Sequence, residues 1–155
     1  MARTREYAST ITVTADQLAQ MRSAQRVIYR NGGFDTNHPD WNGIVTGLTG
    51  FGATILGLVF IASTPVGIAM GVTSIVASLF AIGKTGEALE DLIKNGNDGM
   101  ADGLEFFELN KRYDMLEIKF PFLEYTLSDG TVIRFVTGTG VPIRAHVAGS
   151  GWEIF

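Results

Sequence analysis

The sequence predicts an α+β fold, and three features carry that reading. A capping-box signature opens an amphipathic helix near the N-terminus, residues 43–83 form a long stretch without a charged side chain, and from Met115 the apolar residues recur with period two. At 155 residues the chain has the size of one domain. Within a single domain, 1–155, four sub-regions follow one another: an N-terminal arm and helix (1–42), an apolar glycine-rich hairpin (43–83), acidic helices (84–113) and a β-meander (114–155).

In the arm, "STITVT" (residues 9–14) alternates and is rich in β-branched residues, which suits a short strand. "TADQ" follows, in which the Thr14 hydroxyl can accept from the amide of Gln17 while the Gln17 side chain reaches back to the Thr14 amide. Leu18, Met21, Gln25 and Ile28 then mark one face of a helix that ends near Arg30, where "NGG" (residues 31–33) supplies a left-handed stop. Pro39 biases His38 toward extended backbone, so "FDTNHPDWN" (residues 34–42) reads as a loop.

Pro65 divides the uncharged stretch into two runs of helical length, which gives a central helical hairpin. Gly43, Gly47, Gly50, Thr54 and Gly57 recur at intervals of four, three, four and three, and Gly67, Gly71, Ser74, Ser78 and Ala81 repeat those intervals. Each helix therefore carries a stripe of small residues, the hairpin-packing positions, through which two backbones can approach closely. The large residues fall on the other side: Ile44, Leu48, Phe51, Ile55 and Leu58 in the first run, and Ile68, Val72, Ile75, Leu79 and Ile82 in the second. These are assigned to lipid, to neighbouring subunits or to the rest of the domain. A run of about twenty residues at about 1.5 Å per residue matches the hydrocarbon thickness of a bilayer.

"KTGEALEDLIKNGN" (residues 84–97) and "DGMADGLEFFELNKRY" (residues 98–113) read as two short helices, acidic outside, because Gly86, Gly99 and Gly103 each lower helix propensity by about 1 kcal/mol. Leu116, Ile118, Phe120 and Phe122 then alternate, and Asp129-Gly130 is a hairpin-turn signal. Two further strands complete an antiparallel meander of four or five.

The remaining features exclude more than they assign. A net charge of −4 without a Lys/Arg-rich block argues against nucleic acid as a partner. With no cysteine, thiol chemistry and disulfides are absent. The N-terminus has no apolar segment of the signal-peptide kind, so the expected location is membrane-associated, or released without a cleavable signal peptide. His38 lies in a polar loop with Asp35, Asn37 and Asp40, and His146 on a strand; neither has metal-ligand spacing. "NGNDGMADG" (residues 95–103) lacks the glycine register and the terminal Glu of a calcium loop, and "TGTG" (residues 137–140) has no lysine or helix for a phosphate. Trp41-Asn42-Gly43 and the Tyr113 to Glu117 spacing match short export patterns that recur by chance. No nucleophile has an evident base, so no enzyme, metal, cofactor or small-molecule substrate is expected.

An uncharged helical hairpin flanked by amphipathic polar helices resembles the hydrophobic hairpin of colicin-type pore-forming domains, and its small-residue stripe resembles glycine-zipper membrane proteins. The resemblance covers only residues 43–83, and the β-rich C-terminal third departs from the all-helical colicin pore. It implies a pore-forming, toxin-like protein that acts on a lipid bilayer, as a homo-oligomer. The alternative is a self-assembling ring or filament in which apolar hairpins share an inter-subunit core. The acidic side chains Glu87, Glu90, Asp91, Asp98, Asp102, Glu105 and Glu108 would lose charge on acidification, although a solvated face is the simpler and favoured reading of them.

Overall fold

The computed structural model describes residues 3–31, 40–60, 86–126 and 132–155. Among these residues the chain is α+β, with four helices and a five-stranded antiparallel sheet. The elements run β1 (Arg3–Val13), α1 (Ala15–Arg30), α2 (Trp41–Thr49), α3 (Ala53–Phe60), α4 (Gly86–Leu109), β2 (Tyr113–Thr126), β3 (Val132–Val136), β4 (Val141–Val147) and β5 (Gly151–Ile154).

The sheet is not a purely C-terminal meander. The N-terminal arm is a full strand: β1 pairs with β2 along its length, from Arg3 opposite Thr126 to Val13 opposite Leu116. On its other side β2 pairs first with β4 and then with β3. β3 and β4 thus form one interrupted ribbon against a single 14-residue strand. The interruption falls at Pro121, which has no amide hydrogen to give, and the 137–140 turn bulges there, with the Thr137 amide donating to the Pro121 carbonyl. β5 folds back on β4 through a tight turn whose Gly149 and Gly151 take positive φ.

Alternation sets the core face: Ile11 and Val13 on β1, with Leu116, Ile118, Phe120 and Phe122 on β2, are buried beneath the helices. α1 begins at the capping box read from the sequence, with both reciprocal hydrogen bonds formed. Its Leu18, Met21, Ala24, Gln25 and Ile28 are buried. Asn31 caps the far end with negative φ; the two glycines after it lie outside the described residues.

Residues 86–109 form one helix, not two short ones. Ile93, Gly96, Asn97, Met100, Gly103 and Phe107 face inward at helical spacing, so the glycines sit at the contact and not in a hinge. A Cβ on Gly96 would overlap the Val136 carbonyl, one on Gly99 the Gly138 carbonyl, and one on Gly103 would meet Leu18 at 2.8 Å. Close approach to β3 and the 137–140 turn offsets the propensity these glycines cost. Stretch 95–103 is consequently helix, and Asp91, Asp98, Asp102, Glu105 and Glu108 form its exposed face.

Candidate functional site: the apolar segment and its seat on the sheet

The first half of the uncharged stretch is two helices where one of about twenty residues was expected. Asp40 caps α2 by accepting from the Gly43 amide at 2.9 Å, and the helix stops at Thr49, whose hydroxyl bonds back to the Val45 carbonyl at 2.6 Å. Phe51 donates to Leu48 in a tighter turn, and α3 restarts with the Leu56 amide on the Gly52 carbonyl. Two glycines and a back-bonding threonine within four residues make this the weakest point of the run. No helix among the described residues is long and apolar enough to cross a membrane.

The large residues turn into the domain. Ile44 and Leu48 are fully buried, Ile55 is 6% exposed, and Phe51 and Leu58 are half-buried. Of the three surroundings the sequence leaves open for Leu48 and Ile55, the rest of the domain is the one they face in this structure, because α1 lies against both helices and offers them an apolar surface. The small positions lie at the rim. Gly50 and Thr54 are exposed, Gly43 and Gly57 are half-buried, and Gly47 packs on Val27 of α1. Gly67, Gly71, Ser74, Ser78 and Ala81, with Ile68, Val72, Ile75, Leu79 and Ile82, lie outside the described residues, as do His38 and the Asp129-Gly130 turn.

α3 ends against β3, the strand at the outer edge of this end of the sheet. Phe60 meets Phe135 edge-to-face at 6.0 Å on one side of the strand. On the other side Arg134, only 6% exposed, donates from Nη2 to the Leu58 carbonyl at 2.9 Å. The guanidinium lies 3.8 Å over the Phe122 ring and donates from Nη1 to the Tyr7 hydroxyl at 3.3 Å. Tyr7 in turn donates to Glu124, which is buried opposite both Arg5 and Arg134 in the strand register. Arg5 approaches Glu124 at 3.8 Å from solvent. The Arg134 Nε finds no acceptor among the described residues.

Sequence reasoning does not single out Tyr7, Glu124 or Arg134. Their signal is a polar residue within an apolar β-run, "FLEYT" and "VIRFV", but which face each takes depends on pairing with β1.

A second polar cluster occupies the opposite end of the sheet. Arg112 donates to the Tyr113 hydroxyl, which donates to Glu153, with Phe106 stacked on Tyr113 at 5.8 Å and Phe155 edge-on to both. The Tyr113 hydrogen bond holds the Glu153 carboxyl below its usual range, reinforced by the Arg112 charge. On the outer face His146 pairs with Asp114 at 2.6 Å and touches Trp152, while Arg144 pairs with Glu117 and lies over the same indole. Among the described residues no group of three or more His, Asp or Glu is placed to hold a metal ion.

No protein-family model, no curated protein and no solved structure matches the chain.

Proposed function

We propose that the chain acts on a lipid bilayer through the uncharged stretch 43–83, as a pore-forming or membrane-perturbing homo-oligomer whose α+β body carries that stretch in a docked form. The observation that carries this reading is how α2 and α3 are joined. Gly50 already has right-handed helical angles, φ −73° and ψ −11°, and Cβ atoms at Gly50 and Gly52 would meet nothing within 4 Å among the described residues. Glycine at both 50 and 52 leaves the joint without a side chain to resist the change of backbone angles that would merge the two helices into one. A continuous helix over 43–62 would be about 30 Å long, the span of a bilayer core. The small face would then be free to pack against the second run, completing the helical hairpin.

Dye release from liposomes, measured together with the mass of the detergent-free protein, tests the reading. Release at micromolar protein supports it, and a large particle that leaves vesicles intact at pH 7 and pH 5 overturns it.

A second reading, a self-assembling ring or filament, is favoured by apolar side chains exposed at the end of α4, on β4 and at the C-terminus. Leu109, Val141, Ile154 and Phe155 are all more than half exposed there. In that case the same mass measurement returns a soluble assembly.

A further inference from the structure

We infer that Glu124, Tyr7 and Arg134 form a charge-operated latch that holds α3 on the edge of the sheet and opens when Glu124 is neutralised. The latch deepens the membrane reading, since α3 is the part of the uncharged stretch it grips.

Leu58 lies near the end of the described part of α3, and its backbone carbonyl is the acceptor for Arg134. A guanidinium donating there is favourable, and it is the one side chain among the described residues that ties α3 to β3 by a hydrogen bond. Its position is costly, however, because a buried cation is tolerated only with a counter-charge and satisfied hydrogen bonds. Glu124 supplies that charge through Tyr7.

The groups facing Glu124 are Arg5 and Tyr7 from β1 and Arg134 from β3; α3 brings no titratable side chain. Two cations therefore share one carboxylate. Neutralising it leaves Arg134 buried without a counter-charge. Arg5 can move into water, being mostly exposed, whereas Arg134 is rehydrated only if its cover lifts. That cover includes the α3 backbone it bonds. The docked form is therefore favoured while residue 124 carries a charge, and a neutral side chain there favours release.

Amide hydrogen exchange of the full chain, read by mass spectrometry, tests the latch on E124Q and R134M. E124Q at pH 7 should raise exchange across residues 53–60 by about tenfold or more, with α1 and α4 unchanged, as expected for a local opening. Unchanged exchange in α3, or an equal rise across all helices, overturns the latch. R134M should open α3 as well; protection at the wild-type level would overturn it equally. Vesicle flotation of the same samples separates the two proposals. Opening without flotation leaves the latch standing and removes the membrane reading, and flotation with α3 closed does the reverse.

Discussion

The carboxamide of Gln25 pairs with the backbone of Val136 as a neighbouring strand would. Its Nε2 donates to the Val136 carbonyl at 2.8 Å and its Oε1 accepts from the Val136 amide at 3.0 Å, with the whole side chain buried. Among the described residues no further strand lies beyond β3 at this point, and a helix side chain supplies the hydrogen bonds that one would have made. Replacing Gln25 by Leu keeps the volume and strands both backbone groups away from water. The expected loss is about 2–4 kcal/mol, measured by urea denaturation. A loss below about 0.5 kcal/mol would mean that β3 finds other partners.

The α4 glycines yield a prediction opposite in sign to helix propensity. Gly96→Ala and Gly99→Ala should each gain about 1 kcal/mol of propensity and lose more through overlap with the Val136 and Gly138 carbonyls. Thermal unfolding should show both variants less stable than wild type. Asn95→Ala, on the exposed side of the same helix, should be neutral or slightly stabilising.

Substitutions along the first small-residue stripe should separate docked packing from packing in the bilayer. Gly50→Leu and Gly57→Leu meet nothing within 4 Å among the described residues and should leave the docked fold within about 1 kcal/mol of wild type while abolishing dye release. Gly47→Leu runs into Val27 and should destabilise the docked form itself. Undiminished release by the first two variants would remove the small-face hairpin from the mechanism.

The Arg112–Tyr113–Glu153 cluster should stabilise the C-terminal corner at neutral pH and fail in acid. Glu153 has a lowered folded-state pKa, because Tyr113 donates to the carboxylate and Arg112 adds its charge. Its contribution is complete above the unfolded carboxyl value, about 4.3, and disappears as pH falls through the lower folded value. Wild type should therefore exceed Glu153→Gln in stability at pH 7 and converge with it in strong acid. Tryptophan fluorescence during denaturation at each pH would show this, and a constant difference across the range would assign the effect to something other than charge.

Local signals were legible wherever neighbours in sequence are also partners in space. The Thr14–Gln17 capping box, the α1 stripe and the period-two run of β2 belong to this class, because each depends on residues a few positions apart. The glycines of α4 show the limit. Their helix-weakening property is local, but their use is a contact with β3 and the 137–140 turn, more than thirty residues away. The first half of the uncharged stretch is similar. Its spacing revealed two faces, and which face turned inward depended on the apolar surface that α1 presented.

By itself the sequence determined the α+β class, the start of α1, the uncharged stretch and the absence of cysteine chemistry, all properties of composition or short-range period. Tertiary structure alone decided that the N-terminal arm pairs along the whole of β2, that β3 and β4 share one side of it, and that Tyr7, Glu124 and Arg134 meet beneath α3. Tyr7 and Arg134 are 127 residues apart. Strand register brings such residues together, and register follows from burying one whole face at once, which no local window of sequence contains.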